Sequence, residues 1–113
     1  MGGITTHVLN TASGRPAEGV TARLEKQKGE SWELLGEGQT NSDGRLRDLL
    51  TPDYALKRGV YRITFETGAY FSGLGLKTFF PSASIVFTVE DPAQHFHVPL
   101  LLSPFGYSKY RGS

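Results

Sequence analysis

The sequence contains no cysteine, which excludes disulfide frameworks, thiolate zinc sites and cysteine nucleophiles together. That absence suits a reducing compartment, and the cytoplasm is the location expected. An excess of one charge is missing too. Twelve basic and eleven acidic side chains give a formal charge of +1, with no run of like charges, so nucleic acid is not an expected partner. No apolar stretch approaches the roughly 20 residues of a membrane helix. Residues Met1 to His7 carry neither the basic n-region nor the apolar h-region of a secretory signal, so no membrane association is expected. There is no Gly-x-Ser-x-Gly elbow, no Walker loop and no dinucleotide fingerprint, which disfavours the enzyme classes built on them.

What remains is an apolar fraction of 38% in 113 residues, enough for a core in one compact domain spanning 1–113. Fourteen glycines, with Pro, Asn and Asp, break the chain every eight to twelve residues or so, and between the breaks apolar residues recur with period two. This pattern predicts an all-β sandwich or barrel of about eight strands. Ile4, Thr6 and Val8 share one face of the first strand, and Thr5, His7 and Leu9 the other. Further strands are predicted over Val20–Lys26, Ser31–Glu37, Arg45–Leu49, Val60–Glu66, Phe79–Val89, His95–Leu102 and Tyr107–Arg111. Pro81 marks an edge or bulge. One short helix is predicted over Gly68–Leu74, where Tyr70, Phe71 and Leu74 fall at helical spacing.

Three histidines, His7, His95 and His97, lie in predicted strands, and imidazole is the side chain that exchanges protons near neutrality. His95 and His97 share a face, which would suit a metal if His7 faced them, but two histidines in His-x-His are equally read as packed or surface residues, and no metal is expected. Arg45 follows Asp43-Gly44 at the root of a tight turn. A guanidinium there either solvates the turn or presents its donor fork to a planar, oxygen-rich ligand. The end of the chain, Tyr107 to Ser113, places two tyrosines and Arg111 where a terminus ordinarily frays, so it is expected to be tied down on its own subunit or across an interface.

Taken in order, His7-Val8-Leu9-Asn10, Gly14-Arg15-Pro16-Ala17, Thr40-Asn41-Ser42-Asp43-Gly44-Arg45, His97-Val98-Pro99-Leu100-Leu101-Leu102-Ser103-Pro104 and Tyr110-Arg111-Gly112-Ser113 resemble the transthyretin-like 5-hydroxyisourate hydrolases over nearly the whole chain. The closing tetrapeptide is the most specific element, because the hormone-carrier transthyretins of the same fold lack it. The resemblance implies a sandwich of two four-stranded sheets, assembled as a homotetramer with sites where dimers meet, and no cofactor. It implies hydrolysis of 5-hydroxyisourate to 2-oxo-4-hydroxy-4-carboxy-5-ureidoimidazoline. The alternative on the same fold is a carrier of an aromatic small molecule. The implied catalytic residues are His7, Arg45, His97 and Ser113, with Tyr110 and Arg111 joining His7 and Arg45 in substrate binding. Ser113 would act through its hydroxyl or carboxylate. A histidine flanked by Arg45 is expected to have its cation disfavoured. His95 receives no role. Asn10, where aspartate is common, and Phe79–Ser84 depart from the pattern without touching the site positions.

Overall fold

The computed structural model describes residues 3–113; Met1 and Gly2, at the start of the expected domain, lie outside the described residues. Alternating polarity builds the strands as expected. In β1 (Gly3–Asn10) every second residue, Ile4, Thr6, Val8 and Asn10, is buried. Thr6 is tolerated inside because its hydroxyl donates to the Val98 carbonyl at 2.6 Å, so its polar atom does not pay the cost of an unmade bond. Asn10 shapes the following loop by accepting from the Ala12 and Ser13 amides, while its Nδ2 donates to the Tyr70 hydroxyl. An aspartate could do the first but not the second.

Among the described residues, nine strands form two sheets. In the first, β1 pairs in parallel with β8 (His95–Ser103), which pairs antiparallel with β9 (Gly106–Lys109). The other edge of β1 is shared by two two-residue strands, β2 (Arg15–Pro16) and β5 (Arg45–Leu46). The second sheet is antiparallel, in the order β4 (Ser31–Gln39), β3 (Thr21–Lys28), β6 (Gly59–Phe65), β7 (Ala83–Val89). The transthyretin-like sandwich expected from the sequence is thus present, with one of its eight strand positions split in two. A seven-residue helix, α1 (Thr67–Gly73), follows β6 as predicted and buries Phe71.

The core lies between the sheets, where Ala22 and Leu24, Tyr61, Ile63 and Phe65, and Ile85 and Val89 face Ile4, Val8, Phe96, Val98, Leu100 and Leu102. Three predicted strands are shorter than expected. β5 ends at Leu46 rather than Leu49. β7 begins at Ala83 because Pro81 lacks a ladder donor and Phe79 bonds to the Pro104 carbonyl instead. β9 ends at Lys109, and the tail turns back toward β8. No helix among the described residues is long and apolar enough to cross a membrane.

Candidate active site

With Ile4, Thr6 and Val8 committed to the core, β1 must turn Thr5 and His7 to the outer face of its sheet. Register does the rest. Parallel pairing sets Thr5 beside His97 and Gly3 beside His95, and antiparallel pairing sets Arg45 opposite His7. Arg45 reaches that place through the turn Asn41–Gly44. Asn41 Oδ1 accepts from the Asp43 and Arg45 amides, and Gly44 takes a φ of 75°. A Cβ at Gly44 would come 2.4 Å from the Val8 carbonyl, so only glycine lets the turn close against β1.

The result is a cavity of about 380 Å³ lined by Thr5, Thr6, Arg45, Arg47, His95, His97 and Ser113. Its geometry constrains the imidazoles. His7 Nε2 lies 3.0 Å from the Asp43 carbonyl, which can only accept, so Nε2 carries the proton and Nδ1 is the bare nitrogen of neutral His7. His97 Nδ1 lies 2.9 Å from Thr5 Oγ1, and so does His95 Nε2. Burial holds His97 below the ordinary imidazole value, and Arg45, His7 and His95 push it further down. The disfavoured cation expected beside Arg45 is thus found at His97, though burial is the larger cause.

The tail is docked. The Gly112 amide donates to the His97 carbonyl at 2.8 Å, and a Cβ on residue 112 would come 2.6 Å from His97 Cδ2 and 3.2 Å from Pro99 Cγ. Glycine at 112 is thus what lets the chain lie against the imidazole and deliver Ser113 to the cavity. Arg111 is turned elsewhere: its guanidinium stacks 4.7 Å from the Phe96 ring centroid and donates to Gln94 Oε1 at 2.9 Å. Together with Tyr110 it lines a second cavity of about 320 Å³, between β7 and β9 and reaching His97, rather than the one containing Arg45.

The structure therefore gathers Arg45, His97 and Ser113 in one cavity, with His7 paired to Arg45 at its side, and sets Tyr110 and Arg111 apart. Besides Thr6, whose hydroxyl is turned to the Val98 carbonyl, two residues of the cavity were given no role from the sequence. Thr5 and Arg47 lie two positions from His7 and from Arg45, and the same period-two alternation that exposed those residues would have found them. His95, left without a role, is joined to His97 through Thr5. Among the described residues, no three His, Asp or Glu side chains come together as a metal-binding group.

The profile of the Transthyretin family, described as HIUase/Transthyretin family, matches residues 4–112. The chain belongs to this family. A 5-hydroxyisourate hydrolase of Mus musculus is 46% identical over 112 residues, covering 97% of this chain and 94% of its own. The solved 5-hydroxyisourate hydrolase of Klebsiella pneumoniae superposes with a TM-score of 0.85 at 40% identity, over 98% of this chain and 99% of the other. Transthyretin from Sparus aurata superposes with a TM-score of 0.89 at only 29% identity, over 96% and 95% of the two chains. Backbone shape thus does not distinguish these two solved structures, the hydrolase and the transthyretin, from one another by their likeness to this chain.

Proposed function

We propose that this chain hydrolyses 5-hydroxyisourate, adding water to a ring carbonyl and breaking the adjacent C–N bond to give 2-oxo-4-hydroxy-4-carboxy-5-ureidoimidazoline. The observation that carries the reading is the His97 imidazole held against Thr5 and the docked tail, in one cavity with Arg45 and Ser113. The relatives named hydrolases support it. His7, with Nε2 committed to a carbonyl, takes a proton from water at Nδ1 as the hydroxide forms its bond to the carbonyl carbon. His97 Nε2–H protonates the leaving nitrogen as the C–N bond breaks, so one proton enters the protein and one leaves it. Arg45 holds the planar substrate with its donor fork and stabilises the charge developing on the carbonyl oxygen. The Ser113 hydroxyl orients water or a substrate nitrogen. Tyr110 and Arg111 serve binding by shaping the tail that presents Ser113.

The assembly that fits this reading is a homotetramer in the cytoplasm. β7 and β9 are unpaired sheet edges, and Val86 and Tyr110 beside the second cavity are 57% and 58% exposed, an apolar strip that subunit pairing would cover. The deciding experiment generates 5-hydroxyisourate in place with urate oxidase and follows its absorbance decay. Wild type is expected to accelerate the decay, and His97→Asn to lose on the order of 10²–10⁴ of that acceleration. A folded wild type that leaves the decay unchanged overturns the hydrolase reading in favour of a carrier of an aromatic ligand.

A further inference from the structure

The Thr5 hydroxyl has one proton and sits 2.9 Å from two ring nitrogens, His95 Nε2 and His97 Nδ1. It can donate to only one of them and must accept from the other. The two rings are therefore locked in opposition. Whenever His97 Nδ1 is bare, His95 Nε2 carries a proton, and whenever His97 Nδ1 is protonated, His95 Nε2 is bare. His97 lies half-buried under the tail, whereas His95 is exposed. The Nδ1 of His95 is open as well, since residue 3 beside it is glycine and a Cβ there would stand 3.2 Å from that nitrogen.

We infer that Thr5 and His95 form a proton relay that sets the tautomer of His97 and exchanges protons between its Nδ1 and solvent. The inference rests on His97 acting as the acid of the proposed hydrolysis. In the resting arrangement His95 Nε2–H donates to Thr5, Thr5 donates to His97 Nδ1, and the His97 proton sits on Nε2. When Nε2–H passes to the leaving nitrogen, the Thr5 proton moves to His97 Nδ1. The His95 Nε2 proton then moves to Thr5, and His95 Nδ1 takes one from solvent. One proton enters at His95 and one leaves at His97, so neither of these two rings is left charged. The return transfer, with a proton taken up at His97 Nε2 from water, restores the first tautomer and releases one from His95 Nδ1.

Burial and the two guanidinium groups of the cavity favour such a device. Arg45 and Arg47 from β5 and the residues after it, His7 on β1 and His95 on β8 all face the cavity or its rim, and among the described residues no acidic side chain lines it. A ring in these surroundings resists holding two protons at once, so resupplying the second nitrogen while the first is discharged avoids the imidazolium. Thr5 and His95 are accordingly positioning residues: neither needs to touch substrate.

The test compares Thr5→Val, which keeps shape and β-propensity but loses the hydroxyl, with Thr5→Ser, which keeps the hydroxyl, and with His95→Asn. Thr5→Val is expected to lower kcat roughly 10²-fold with KM little changed, and Thr5→Ser to stay within about threefold of wild type. His95→Asn should lose about tenfold, recovered by added imidazole buffer. Nitrogen-15 NMR of His97 supplies the readout independent of rate, with one tautomer protonated at Nε2 in wild type and a mixture in Thr5→Val. The relay is overturned if Thr5→Val keeps wild-type kcat, if Thr5→Ser is as slow as Thr5→Val, or if the His97 tautomer is the same in both proteins. An inactive wild type with inactive variants overturns the hydrolase reading instead, and the tautomer comparison then decides the hydrogen-bonded lock by itself.

Discussion

The outer face of the β4-β3-β6-β7 sheet pairs its charges. Arg23 donates to Glu66 at 2.7 Å, Arg62 contacts Glu25 at 2.8 Å, and the Arg62 guanidinium stacks 4.2 Å from the Trp32 ring centroid. On the outer face of the other sheet, Arg45 and Arg47 stand with His7, His95 and His97, and every ion pair among the described residues lies on the β4-β3-β6-β7 sheet. Both faces come from strands with the same alternation, and both hold guanidinium donors. One spends those donors on the protein's own carboxylates, and the other leaves them for something that arrives. In a fold shared with transthyretin, this unneutralised face separates a surface from a site.

If that contrast carries the function, the largest effect belongs to Arg45. Arg45→Gln is expected to lower kcat/KM by about 10²–10³, the scale of losing a charged donor at a developing oxyanion. The same substitution should raise the His97 titration midpoint, though not back to 6.5, because burial is the larger of the causes lowering it. A proton titration of the His97 ring by NMR reads that shift directly. The sign for stability follows from the same depression. The unfolded chain binds the His97 proton more readily, so the contribution is complete above pH 6.5 and is lost as pH falls below it. Arg45→Gln at the wild-type rate would leave the contrast between the faces without functional meaning.

A smaller effect sharpens the role of the tail. Gly112→Ala drives a Cβ toward His97 Cδ2, where 2.6 Å is all the space there is, and the tail must lift. Activity should fall by roughly tenfold to a hundredfold, as expected for displaced positioning groups. The urea midpoint should barely move, because residues 110–113 add little to the core. A loss of stability matching the loss of rate would make the tail a structural strand end instead.

The inward and outward sets of β1, β3, β6 and β8 were legible from alternation alone, because a two-layer sandwich buries one face of each strand and polarity records which. Tyr61, Ile63 and Phe65 alternate along β6 and are buried, and Phe71 plugs the core from a helix foreseen in its spacing. Alternation says which way a side chain points but not what stands beside it. That Thr5 meets His97 and His95 depends on parallel pairing across some ninety residues, and no local pattern encodes that register. The docking of Gly112 was hidden for the same reason. A tail with two tyrosines announced that it was held, while the carbonyl that holds it belongs to a strand chosen only by the tertiary fold.

The smallest expected effect tests the paired face. Glu66→Gln removes the partner of Arg23 at a site where both side chains keep a third of their surface in solvent. Solvent screening limits the loss to about 0–1 kcal/mol, read as a slight fall in urea midpoint. The rate of 5-hydroxyisourate decay should be unchanged, since Arg23 and Glu66 lie on the sheet that takes no part in the cavity. High salt should erase most of the stability difference, because the pair is exposed enough to be screened. A tenfold loss of activity in Glu66→Gln would mean that the two faces communicate through the core, and the division of labour between the sheets would have to be abandoned.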